Sequence, residues 1–303
     1  MKSYKIDPAG FMECDEKYAN VFVFTNPDEA TRKQLVEGLK IDEHTLSSAL
    51  DPDEQARIEF EPEHIAIIYK HPKNYSGGDQ LLFKVLSTGL FLFKDRLIIV
   101  VNDDTALFDK KKLLKASTVN DFALRMIYGS IFHFLEHIKI ITSLTESLET
   151  KINKSLENKY LTHLFTLQKS LVYYLNAICA NGVLIERLKN NAAKIGFQQD
   201  QLELIDDMLI ENNQCYRQAE IYSNILASLM DARASIVGNN LNILMKTLNI
   251  ITIGIMVPTL VVSIFSMNVQ FPFRDHPYAF WMILTVAFVS VGCLMYWWKK
   301  KQR

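Results

Sequence analysis

Residues 248–268 read LNIITIGIMVPTLVVSIFSMN, and everything else in the chain is interpreted outward from them. Leu248 to Phe265 is a run of 18 residues without a charge. At about 1.5 Å per residue, a helix of that length almost spans a hydrocarbon core of about 30 Å. Its polar residues are not scattered. Asn249, Thr252, Thr259, Ser263 and Ser266 are the only ones from Asn249 to Ser266, and with Met256 inserted they step by 3, 4, 3, 4 and 3. That spacing is one face of a helix. A single helix in lipid has no reason to gather its polar groups on one line, whereas a helix facing a wet axis does. A helix-packing face, where Ser and Thr are also enriched, has the same appearance.

The stripe continues backwards in the same register through Met245, Asn242, Gly238, Ser235, Asp231, Ser228, Asn224, Ile221, Arg217, Gln214, Ile210 and Asp207. A coiled coil built for stability would carry Leu and Ile there, and this one is mostly polar, small or acidic. No proline interrupts the run from about Asp200 until Pro258. Continuous to Phe265, it would reach about 100 Å, longer than a single domain core is thick. The expectation is a stalk helix that leaves the membrane and extends into the cytosol.

A second apolar segment, Ala279 to Trp298, is 20 residues and uncharged. Trp281 near one end and Trp297-Trp298 at the other suit the two membrane interfaces, and Lys299, Lys300, Lys301 and Arg303 follow. The positive-inside rule places that basic tail, and with two spans the N-terminal part as well, in the cytosol. No apolar stretch opens the chain, so no cleaved signal peptide is expected. Cys14, Cys179, Cys215 and Cys293 are dispersed without a CxxC pair, which argues against a disulfide framework or thiolate zinc site and for a reducing compartment. Lys plus Arg is 33 and Asp plus Glu is 34, so no basic surplus points to nucleic acid.

The rest is read as a mixed α/β domain over residues 1–117 and cytosolic helices over 118–199. The stalk and first span then occupy 200–268, an outer loop 269–277, and the second span with its basic tail 278–303. Strands are expected at Val21–Thr25, Arg57–Phe60, His64–Lys70, Gln80–Ser87, Leu90–Phe93 and Leu97–Val101, with a Gly-Gly turn at 75–79. Helices are expected at Thr31–Lys40, at Asp42–Leu50, from Val119 to about Leu156, and from about Leu161 to Asn190, with a break at Gly196. His133-Phe-Leu-Glu136-His137 fits H-x-x-E-H, which places two histidines on one helix face as a zinc peptidase requires. Two exposed histidines on a cytosolic helix give the same letters. No Gly-rich nucleotide-binding loop is visible, so ATP-driven pumping has no support.

Asn268 closes the first span within Ser266-Met267-Asn268. Here the chain resembles the CorA family of divalent-cation channels, whose hallmark is Gly-Met-Asn at the end of the first of two C-terminal spans. The resemblance covers the whole layout, with Ser266 in place of the family's Gly. It implies a CorA-like homopentameric funnel: an α/β cytosolic domain, a long stalk helix and two C-terminal transmembrane helices, set in the cell membrane with both termini cytoplasmic. It further implies that Asn268, with Met267 and Ser266, forms a selectivity ring for hydrated Mg²⁺. Asn242, Met245, Leu248, Asn249, Thr252, Met256, Thr259 and Ser263 would then line the pore, with Met245, Leu248 and Met256 as candidates for a dry gate. Asp207, with adjacent Asp206 as a possible substitute, would join an inter-subunit regulatory Mg²⁺ site, and Asp231 an acidic ring at the inner pore. Co²⁺, Ni²⁺ or Zn²⁺ are alternative cargoes. A non-conducting membrane scaffold and, more remotely, a peptidase on His133, Glu136 and His137 are the rivals in kind.

Overall fold

The computed structural model describes residues 1–7, 10–75, 81–102, 116–154, 158–267 and 277–301. The chain divides into two compact units, Met1–Met230 and Asp231–Arg303.

The first unit is built on a seven-stranded sheet of order β2-β1-β3-β7-β6-β5-β4. Its strands are β1 (Lys2–Asp7), β2 (Gly10–Glu13), β3 (Val21–Thr25), β4 (Arg57–Phe60), β5 (Ile65–Pro72), β6 (Val85–Leu92) and β7 (Leu97–Val101). Among the described residues β3 and β7 pair in parallel and the other neighbours antiparallel. Helices α1 (Glu29–Leu39) and α2 (Glu43–Leu50) are capped by Asp28 and Asp42, whose carboxylates accept from the Thr31 and Thr45 amides at 2.9 Å. Their Leu35, Leu46 and Ala49 cover one sheet face, meeting Ala66, Ile68, Ile98 and Val100. The other face, carrying Ile67, Tyr69, Leu90, Ile99 and Val101, packs on α3 (Val119–Lys154), α4 (Asn158–Asn190) and the first part of α6 (Gln199–Phe265). A short helix, α5 (Ala192–Ile195), ends at Gly196 in the left-handed region before α6 begins. Helices on both faces explain why β7 reads LIIVV, an unbroken apolar run rather than an alternation.

Two glycines set how closely the layers approach. A Cβ on Gly89 of β6 would lie 2.5 Å from the Ala49 Cβ of α2, so the close seat of α2 on the sheet requires glycine there. A Cβ on Gly182 would lie 2.9 Å from Asn212 Nδ2, which instead donates to the Ile178 carbonyl at 3.0 Å.

One polar device completes the sheet. β4 pairs with β5 only as far as Arg57 opposite Ile68, which leaves Lys70 with no strand on that side. The fully buried Asn181 of α4 takes the place of the missing strand. Its Oδ1 accepts from the Lys70 amide at 2.8 Å and its Nδ2 donates to the Lys70 carbonyl at 2.7 Å. Ser170 of the same helix serves Phe83 likewise, accepting from its amide at 3.0 Å.

The second unit contains the rest of α6, from Asp231, and α7 (Ala279–Lys301). Both helices are long and apolar enough to cross a membrane. Pro258 lies inside α6, and the carbonyl its missing N–H leaves free belongs to Gly254.

Several expectations are corrected. β1 and β2 were not anticipated, because KSYKID and GFME carry neither a β-branched run nor a clean alternation. The strands expected at Gln80–Ser87 and Leu90–Phe93 are one strand, β6, paired along its whole length with β5; Gly89 sits mid-strand for close packing and does not break it. Of the Gly-Gly turn expected at 75–79, residues 76–79 lie outside the described residues.

Candidate ion-conduction pathway

The orientation of α6 can be read from what it buries. In the first unit Ile205, Met208, Asn212, Cys215, Ala219 and Leu226 face the subunit's own core. Asp207, Ile210, Gln214, Arg217, Ile221 and Ser228 each follow one of these by two residues, and all are exposed, as are Asn224 and Asp231. Two residues on an α-helix is a rotation of about 200°. The stripe therefore lies on the side of α6 directly away from its core.

In the second unit, between residues 248 and 267, Ile250, Gly254, Val257, Pro258 and Val261 are half-buried, and Thr252, Met256, Thr259 and Ser263 are exposed, as are Ile251, Ile253, Ile255 and Leu260. Asn242, Met245, Leu248, Asn249, Ser266 and Met267 are exposed as well. Asn268 lies outside the described residues.

Three hydroxyls along this face donate back to their own helix. Thr252 Oγ1 donates to the Leu248 carbonyl at 2.8 Å, Thr259 Oγ1 to Ile255 at 2.7 Å, and Ser266 Oγ to Ser263 at 2.9 Å. A hydroxyl that donates back to its own helix turns oxygen lone pairs outward, so the face offers acceptors. Acceptors suit the waters around a hydrated cation. Ser266 thus uses the bond to a carbonyl one turn back that accommodates a side chain where a glycine would need none. Ser266→Gly is expected to keep conduction and to shift the ratio of Mg²⁺ to Co²⁺ flux, because it changes how the last turn is held. Identical ratios for wild type and variant would make the substitution neutral.

Aspartates 206 and 207 part company. Asp206 Oδ1 is held by Lys189 Nζ of α4 at 2.7 Å. Asp207 lies on the stripe side with Glu211 one turn on, and both charges raise the Tyr128 hydroxyl pKa, after burial as the larger cause. Glu211 lies at i+4 from Asp207, a spacing that puts two carboxylates on one helix face. Among the described residues no group of three or more His, Cys, Asp or Glu is placed to hold a metal within one chain. With Asp206 held by Lys189 and Asp207 on the stripe side, a regulatory Mg²⁺ site between subunits would use Asp207, so Asp207→Ala is expected to weaken inhibition of transport by internal Mg²⁺ and Asp206→Ala to leave it near wild type. Equal inhibition curves for wild type and Asp207→Ala would remove regulation from this position.

His133, Glu136 and His137 do not form an exposed pair of ligands. His137 is buried, and its Nδ1 lies 2.6 Å from the Tyr174 hydroxyl. It stacks on Tyr174 and meets the Phe83 ring edge-on. Burial, then the neighbouring His133, pulls its pKa down to about 4, so it is a neutral core histidine at pH 7. Both the zinc-site reading and the exposed-histidine reading of this residue are corrected, because Tyr174 and Phe83 come from elements distant in sequence.

An α/β unit followed by a helix that runs into the first of two segments long and apolar enough to cross a membrane fits a two-span membrane protein. The family model described as CorA-like Mg2+ transporter protein matches residues 17–300, and the chain belongs to that family. It is accordingly a divalent-cation transporter of the CorA type. Among curated relatives it is similar to the cobalt/magnesium transport protein CorA of Methanocaldococcus jannaschii, 25% identical over 285 residues that cover 89% of this chain and 87% of the relative. The complete structure of the CorA magnesium transporter from the same organism superposes with a TM-score of 0.83 at 20% identity, covering 98% of this chain and 96% of that one. The full-length CmaX protein gives 0.76 at 15% identity, covering 99% and 97%. The ZntB cytoplasmic domain from Vibrio parahaemolyticus gives 0.61 at 11% identity, covering 79% and 98%. At these identities the structural likenesses speak for the fold.

Proposed function

We propose that five copies of this chain assemble around the α6 stripe into a channel that admits Mg²⁺ passively and is closed by cytosolic Mg²⁺. The observation that carries this reading is the position of the stripe. In the first unit Asp207, Ile210, Gln214, Arg217, Ile221 and Ser228 lie about 200° from residues that α6 buries, and the same register runs on in the sequence through Thr252, Thr259 and Ser263. Two spans per chain enclose no pore, so a polar face of this kind needs further copies. Asn268 rings the outer mouth, Asp231 the inner end, and Asp207 contributes to the regulatory site between subunits. The chain is set in the cell membrane with residues 1–117 and 118–199 in the cytosol. Residues 200–268 form the stalk and pore helix, 269–277 the outer loop, and 278–303 the second span with its cytosolic tail. A divalent ion falling through 100 mV, inside negative, gains about 4.6 kcal/mol, so influx needs no nucleotide. Co²⁺ is a second cargo, supported by the name of the curated relative, and Ni²⁺ and Zn²⁺ are the remaining candidates.

Flux into proteoliposomes, with each divalent ion in turn, tests the reading. Mg²⁺ entry that follows an inside-negative potential is expected. Absence of metal-dependent flux for every ion would favour a non-conducting scaffold.

Met256, exposed on the stripe between Thr252 and Thr259, is assigned to the dry constriction. A polar ring lowers the cost of wetting such a constriction, so Met256→Ser is expected to leak Mg²⁺ under conditions that close the wild type. An unchanged closed-state leak would remove Met256 as a gate.

A further inference from the structure

The soluble unit contains a cleft of about 360 Å³ between three elements that transport does not explain. One wall is the Pro52–Gln55 segment after α2, a second is the stretch around Lys84 entering β6, and the third is α4 with Lys169, Tyr173 and Asn176. Ala177 and Ala180 leave the room on the α4 side. Lys70 of β5 also lines the cleft although it is only 4% exposed. Its Nζ donates to the Pro52 carbonyl at 2.7 Å and to Ser87 Oγ at 2.8 Å, which accounts for two of its three protons. A buried ammonium is costly unless an anion or a full set of acceptors meets it.

The cleft lining carries three lysines, Lys70, Lys84 and Lys169, against two carboxylates, Asp53 and Glu54. Glu54 is also bound outside the cleft: Arg57, which pairs with Glu59 as well, places Nη1 2.5 Å from its Oε1, and Ser48 Oγ donates to its Oε2 at 3.2 Å. Asp51 adds its charge near Lys70. Among the described residues, no ion pair holds Lys84 or Lys169; the Lys169 ammonium lies 5.7 Å from the centre of the Tyr173 ring. Tyr173 is 47% exposed, so its ring is available as a flat apolar wall. Burial also lowers the Lys70 pKa to about 8 against the pull of Asp51, Asp53 and Glu54, and a bound anion would raise it again.

We propose that this cleft binds a nucleoside polyphosphate, with the phosphates on Lys70, Lys84 and Lys169 and the planar base against Tyr173. The volume falls in the range of small-molecule sites, lysine serves as a point-charge phosphate donor, and an aromatic face stacks a base whatever its edge carries. The site lies wholly within the first unit and does not depend on whether the chain conducts.

Calorimetric titration of the full-length protein in detergent, with chelator present to remove divalent ions, tests it with ATP, ADP, adenosine and inorganic pyrophosphate as probes. ATP is expected to bind at one site per chain and more tightly than adenosine. The Lys84→Ala, Lys169→Ala double variant should weaken ATP and pyrophosphate by at least about tenfold, a loss of about 1.4 kcal/mol. Tyr173→Ala should weaken ATP and leave pyrophosphate unchanged. All three positions are exposed, and an unchanged melting temperature would show that the variants fold. No saturable ATP binding, or ATP binding indifferent to the double lysine variant, overturns the proposal. Equal affinity for ATP and pyrophosphate with no effect of Tyr173→Ala overturns it too, leaving only an anion site.

Discussion

Replacing Asn268 with alanine is expected to bring Mg²⁺ flux down to the background of protein-free liposomes while leaving the oligomer intact. Asn268 follows Met267 at the end of the polar stripe, and the proposed function places it at the outer mouth. Mg²⁺ sheds its waters reluctantly, so a mouth that selects it is best built from groups that hold those waters rather than replace them. Neutral amide oxygens accept hydrogen bonds from a hydrated ion without trapping it as carboxylates would. In a pentamer one substitution removes five such oxygens. Hydrogen bonds to charged groups contribute about 1.5–3 kcal/mol each, so losing even two would leave the ion with little reason to enter. Size-exclusion chromatography with light scattering reports the oligomer and the flux assay reports the mouth. Wild-type flux from an intact Asn268→Ala oligomer would remove the selectivity ring from the account.

The largest effect on stability is expected at Asn181, far in sequence from the strand it completes. Asn181→Ala leaves the Lys70 amide and carbonyl without partners in a site that excludes water. Each unpaired buried group costs about 1–3 kcal/mol, so the pair is worth about 2–6 kcal/mol. For a unit of this size that corresponds to a melting temperature lower by roughly 5–20 °C. Glu186→Ala, an exposed position five residues along the same helix, should move it by less than about 2 °C. A scan of the full-length protein in detergent gives both numbers. Equal midpoints for the two variants would mean that the Asn181 amide is not needed to end the sheet at Lys70.

What the sequence disclosed follows from the kind of physics each part uses. The two spans, the long helix and the stripe were visible because helical periodicity and the absence of charge are local properties. The strands at Val21–Thr25, Arg57–Phe60 and Leu97–Val101 were visible for the same reason, being short apolar runs between turns. The partners of Lys70, His137 and Asp206 were not. Asn181 reaches Lys70 across 111 residues, and Tyr174 reaches His137 across 37. Nothing in the letters around His137 shows that a tyrosine and a phenylalanine enclose it, so a metal-ligand spacing could not be told from a core histidine. Asp206 and Asp207 are adjacent letters, and only the fold turns one to Lys189 and the other to the stripe side. At Ser266 the sequence left two rotations of the hydroxyl open, and the bond to Ser263 selects one of them.

The central claim is that the stripe of α6 faces an aqueous ion path, and cysteine scanning of that helix tests it most directly. The background would replace Cys14, Cys179 and Cys293, which are at least partly exposed, and keep the buried Cys215. Single cysteines at Thr252, Met256, Thr259 and Ser263 would be compared with Ile251, Ile255, Leu260 and Val262, which are exposed on other faces. A water-soluble cationic thiol reagent is then added while Mg²⁺ flux is recorded. Block is expected at the first four positions, with helical periodicity, and none at the second four. Block at Ile255 and Val262 with Thr252, Thr259 and Ser263 untouched would contradict it, because the ion path would then run along a different face of α6.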